Sequence, residues 1–132
     1  MALETAPRFM VLQGAGINCD QETKVGLEMA GAVADLRHFN EVEPGQLMDY
    51  QGLVLPGGFS HGDAVRAGIV LSTDIKTRLG EGVQRFVAAG RMVAGICNGF
   101  QVLVNSGLLP GGDMTTPQEV TLTVNNVGRF RS

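Results

Sequence analysis

Apolar positions along this chain fall in short runs, and between those runs they recur at helical spacing. Arg8–Gln13 reads as a buried strand that feeds a glycine loop. Residues 19–31 read as a helix, with Val25, Leu27, Met29 and Ala30 as apolar positions and Gly31 as its stop. Residues 33–39 form a second strand. Gly52–Leu55, closed by Pro56-Gly57-Gly58, forms a third. Over residues 73–89, Ile75, Leu79, Val83, Phe86 and Val87 keep a helical period that Gly90 ends, although Gly80 and Gly82 weaken its middle. A fourth strand over residues 91–96 runs into a helix over residues 98–106, ended by Gly107. The tail reads as a β-type stretch (119–125), a turn (126–128) and the start of another strand at Arg129.

Strands alternating with helices predict one α/β domain over residues 1–132, a doubly wound, mostly parallel, flavodoxin-like sheet with helices on both faces. A C-terminal β-hairpin, cut short at Ser132, completes the expectation, and an end in mid-strand suggests an N-terminal piece of a larger protein. Ligands of such sheets bind beyond the carboxyl ends of the strands. That rule puts residues 14–20, 57–63 and 97–101 on one rim.

Composition narrows the function. A net charge of −3 gives no basic field for nucleic acid, and no Trp and one Tyr leave no stacking platform for single strands. No apolar run reaches the length of a membrane span, and the N-terminus lacks signal-peptide features. Two cysteines make no disulfide framework, so a reducing cytoplasm is expected. The two cysteines and two scattered histidines also lack metal-ligand spacing.

Chemistry concentrates at Gly95-Ile96-Cys97-Asn98-Gly99. An apolar segment runs into a glycine, then a cysteine and another glycine, and a helical pattern follows. This is the layout of a nucleophile elbow, with Cys in place of Ser. The helix N-terminus beyond it favours negative charge on the sulfur. A bland alternative is a buried, inert thiol. The loop Pro56-Gly57-Gly58-Phe59-Ser60-His61-Gly62-Asp63 reads as an anion nest or as a plain turn. Beside an elbow Cys, the nest is the better reading. The Gly58 and Asn98 N–H groups then form an oxyanion hole. No base is convincing: His38 ends the second strand, and His61 has only Asp63 near in sequence to orient it. The loop from Gly14 to Asp20 fits a dinucleotide fingerprint poorly, because Cys19 stands where a third glycine belongs. Cys19 itself is a second thiol before a helix, without an elbow.

The strings Leu55-Pro56-Gly57-Gly58-Phe59-Ser60-His61-Gly62-Asp63, Arg66-Ala67-Gly68, Gly95-Ile96-Cys97-Asn98-Gly99-Phe100-Gln101-Val102-Leu103 and Gly107-Leu108-Leu109-Pro110-Gly111 resemble the class I (triad) glutamine amidotransferases. Within that class they are most similar to the glutaminase subunits of phosphoribosylformylglycinamidine synthase. Asn18-Cys19-Asp20 fits as well, so the resemblance covers nearly the whole chain.

The resemblance implies that Cys97 attacks the glutamine side-chain amide, releases ammonia and passes through a glutamyl thioester. Gly58 and Asn98 would be the oxyanion donors, and Gly57, Phe59 and Gln101 would bind substrate. Phe59, Ser60 and Arg66 would line the site or face a partner. A synthetase subunit, using ATP and Mg, would take the ammonia to convert formylglycinamide ribonucleotide to formylglycinamidine ribonucleotide in purine synthesis. A small accessory subunit would join the complex. No cofactor and no metal is expected in this chain. The family's catalytic His and Glu lie downstream, and His61 stands where this subunit has Tyr, so the isolated chain is expected to be inactive. The rival readings are a cysteine hydrolase of the PfpI type and a non-catalytic flavodoxin-like anion-binding module.

Overall fold

The computed structural model describes residues 5–58, 69–115, 117–123 and 125–132. Four parallel strands, β1 (Arg8–Gln13), β2 (Val33–His38), β3 (Gly52–Leu55) and β4 (Met92–Gly95), pair in the order β2-β1-β3-β4. The helices are α1 (Asp20–Met29), α2 (Ile69–Ala88) and α3 (Asn98–Asn105), and a 3₁₀ turn spans Pro44–Asp49. The chain steps one way from β1 to β2 and the other way from β3 to β4. With right-handed crossovers, α1 and α2 must lie on opposite faces. The expected doubly wound α/β sheet is therefore present.

Side-chain alternation shows why the core sits where it does. On β1 and β3, Met10, Leu12, Leu53 and Leu55 point to the α2 face, where Ile75, Leu79, Val83 and Phe86 meet them. Each such buried side chain contributes about 1.5–3 kcal/mol. Gly82 explains how a helix with weak propensity packs closely: a Cβ there would stand 2.9 Å from Pro44, so the glycine admits the 3₁₀ turn. The opposite face is thinner. α1 buries none of its residues fully. Beside it, over β3 and β4, a groove of about 330 Å³ is lined by Phe9, Leu27, Val54, Met92, Ala94 and Ile96.

The tail corrects one expectation. Residues 117–123 and 125–132 contain no strand, so no hairpin is seen there. The turn does form, with Gly128 N–H donating to Asn125 O at 3.2 Å and Gly128 at φ +64°. A two-stranded ribbon without a third strand is marginal in water, and these exposed residues are not among the paired strands of the sheet.

Candidate active site

Cys97 stands between β4 and α3 with φ 53° and ψ −111°, the only non-glycine of positive φ among the described residues. The glycines on either side are required by close packing. A Cβ on Gly95 would lie 2.6 Å from Gly99 O, and one on Gly99 would overlap Leu55 O. The turn is pinned by Gly99 N–H on Ile96 O (2.8 Å) and Gln101 N–H on Cys97 O (3.1 Å). The thiol is exposed, whereas Asn98 behind it is buried. Asn98 Nδ2 donates to Gln101 Oε1 at 3.0 Å, which ties together two residues expected at the site.

The Gly57–Gly58 loop comes to the same rim. A Cβ on Gly57 would stand 3.5 Å from Cys97 Cβ. Its carbonyl accepts from Asn18 N–H (3.3 Å) and Cys19 N–H (3.1 Å), and Gly58 bridges to Ile17. A Cβ on Gly58, at φ +153°, would overlap Gly16 O, so only glycine fits. In a trans peptide the N–H points opposite to the preceding carbonyl. With Gly57 O held by the β1–α1 loop, Gly58 N–H is turned away from that loop. Sequence reasoning misses this clamp, because backbone bonds between distant loops leave no residue-type signature.

Phe59, Ser60, His61, Asp63 and Arg66 lie outside the described residues. His38 is far from the thiol. It ends β2 at one edge of the sheet, Cys97 follows β4 at the other, and two strands lie between, about 14 Å across three strand spacings. There His38 stacks on Phe39 and accepts from Asn40 N–H through Nδ1. Asp20, at the start of α1, accepts from Gln13 Nε2 at 2.7 Å. Among the described residues no hydrogen bond links Cys97 to a histidine or carboxylate, and no group of three or more His, Cys, Asp or Glu gathers to hold a metal. A groove of about 610 Å³ lies elsewhere, between α2 and Met114-Thr115. Among these residues no helix is long and apolar enough to cross a membrane.

An elbow cysteine on a parallel sheet, facing a glycine loop, is the arrangement of an acyl-transfer thiol. Residues 6–132 match the family profile of the CobB/CobQ-like glutamine amidotransferase domain, and the chain belongs to that family. Among curated relatives, phosphoribosylformylglycinamidine synthase subunit PurQ of Dehalococcoides mccartyi is 45% identical over 93% of this chain and 49% of its own length. PurQ of Treponema denticola is 43% identical over 94% and 50%. The solved structure of PurLQS from Thermotoga maritima superposes with a TM-score of 0.67 at 34% identity, covering 80% of this chain and 46% of that one. The chain thus spans about half the length of the curated relatives it matches.

Proposed function

We propose that this chain carries the nucleophile half of the glutaminase site of a phosphoribosylformylglycinamidine synthase. Cys97 Sγ attacks the side-chain carboxamide carbon of glutamine. The C–N bond then breaks, ammonia leaves and a glutamyl thioester remains, which water cleaves to glutamate. Gly58 and Asn98 N–H groups receive the oxyanion, each worth about 2.7–4 kcal/mol in the transition state. Gly57 leaves room for the substrate beside the sulfur and Gln101 orients it, and by the family resemblance Phe59 also binds it. A synthetase partner, with ATP and Mg, consumes the ammonia to make formylglycinamidine ribonucleotide, and a small accessory subunit completes the assembly in the cytoplasm. The likeness to PurQ subunits and to the PurLQS structure from Thermotoga maritima supports a synthetase partner.

The observation that carries the reading is the elbow itself: a positive-φ cysteine between two glycines that cannot bear side chains. A glutamine-mimicking electrophile tests it. Mass spectrometry should find the adduct on Cys97 and not on Cys19, in a chain shown to be folded by circular dichroism. Equal labelling of both thiols, or none, would return the choice to a PfpI-type hydrolase or an anion-binding module. Proton transfer needs a base, and no described histidine or carboxylate bonds to Cys97, so the isolated chain should release little or no ammonia from glutamine. Robust release would refute that expectation.

A further inference from the structure

Cys19 belongs to none of the chemistry above, yet its sulfur comes to the rim where Cys97 stands. The point where a Gly57 Cβ would sit lies 3.5 Å from Cys97 Cβ and 3.7 Å from Cys19 Sγ. Residue 57 has no side chain, so that point is empty and the two cysteines flank it. Both are free and exposed. The backbone holds them together: Cys19 N–H donates to Gly57 O at 3.1 Å, which fixes the β1–α1 loop to the loop facing the thiol. Among the described residues Cys19 Sγ hydrogen-bonds only its neighbour Asn18 Oδ1, at 3.3 Å, a weak contact that a χ1 rotation breaks. The pair thus comprises a thiol at a helix N-terminus and a second, exposed thiol beside it, the arrangement of an attacking and a resolving cysteine.

We propose that Cys19 and Cys97 form a reversible oxidative modification site, with hydrogen peroxide as the two-electron oxidant. The Cys97 thiolate attacks one peroxide oxygen. The O–O bond breaks, and hydroxide leaves and is protonated to water, so Cys97 carries a sulfenic acid. The Cys19 thiolate then attacks that sulfur. The S–O bond breaks, a second hydroxide leaves as water, and a disulfide remains. Two thiols lose two protons and two electrons, and the peroxide is reduced to two waters. A dithiol reductant reverses the change. The disulfide also protects Cys97 from irreversible oxidation to sulfinic acid. That it silences the glutaminase rests on the proposed function, whereas the cross-link itself does not.

The experiment treats the folded chain with stoichiometric peroxide, then maps peptides without reduction. The Cys19–Cys97 peptide should dominate, disappear with dithiothreitol and fall several-fold when the same treatment is done in urea. The Cys19→Ser chain, checked for folding by circular dichroism, should instead carry one added oxygen on Cys97 for each peroxide consumed. If the native chain gains oxygens on Cys97 as fast as Cys19→Ser does, or cross-links no better folded than unfolded, the proposal fails. Labelling with the glutamine-mimicking electrophile before and after oxidation separates the two readings. A cross-link in a chain that never takes the label sinks the glutaminase and leaves the oxidative site standing.

Discussion

Cys97 sets chemistry against backbone. A side chain at φ 53°, ψ −111° costs on the order of 1–3 kcal/mol. Glycine adopts it freely but loses about 0.5–1 kcal/mol through unfolded-state entropy. Cys97→Gly should therefore raise the unfolding free energy by about 1 kcal/mol in urea while abolishing electrophile labelling. A lower urea midpoint would show that the strain is not there. Gly99→Ala should do the opposite, losing about 3 kcal/mol or more, because its Cβ would overlap the Leu55 carbonyl inside the sheet–helix junction. The elbow is legible in the sequence because its glycines lie at fixed offsets from the thiol. The meeting of Cys19, Gly57 and Cys97 is not legible, because it depends on how three distant loops converge.

At the scale of elements, α2 offers a paired test. Gly80 has only Lys76 Cγ within 4 Å of a built Cβ, whereas Gly82 would press on Pro44 at 2.9 Å. Gly80→Ala should stabilise the chain by about 0.5–1 kcal/mol and Gly82→Ala should destabilise it, both read by thermal or urea unfolding. Equal effects would mean that the 3₁₀ turn does not pack as seen.

The base of the sheet makes a second test. Burial works against the Asp35 charge, but hydrogen bonds from Arg8 (2.7 Å) and Tyr50 (2.9 Å) outweigh it and hold the carboxyl below its usual range. Burial and the same carboxylate push the Tyr50 hydroxyl up. Asp35 therefore adds stability above the unfolded carboxylate value, near pH 4, and that stability is lost as pH falls further. Tyr50 adds stability below about pH 10 that is lost as pH rises. Asp35→Asn should flatten the acid limb of a stability-against-pH curve. An unchanged limb would remove Asp35 from the account.

Strand and helix identities are legible from period, and β1 and β3 match their expected bounds. The helix expected over residues 73–89 already includes Ile69, because apolar Ile69, Val70 and Leu71 read equally well as loop or helix. The 3₁₀ turn buries only Leu47 of its six residues and so shows no apolar period, although Pro44 at its start and the Glu43–Gln46 capping box mark it.

Across the whole molecule, the two faces of the sheet differ. The α2 face holds the core, whereas over β3 and β4 the other face leaves Met92 and Ile96 half exposed. Met92→Lys should reduce binding of a hydrophobic dye and change unfolding free energy by less than about 0.5 kcal/mol. A large loss of stability would show that Met92 is part of the core. Alternation along β3 and β4 foretells two apolar faces but not how much of each is covered, since that depends on elements packed from elsewhere.

The clamp of Asn18 and Cys19 on Gly57 has a consequence in time. The hydrogen bonds of the turn from β4 into α3 are local, but Ile96 N–H on Leu55 O seats the turn on β3. The glycine loop opposite Cys97 takes its place only once β1 has paired with β3 and the β1–α1 loop has closed over it. Contacts that remote in sequence form slowly compared with a helix. During refolding, the thiol and the glycine loop are therefore brought together by pairing of strands remote in sequence. The rate at which Cys97 gains selectivity for a glutamine-like electrophile over a generic alkylator becomes a clock for that pairing.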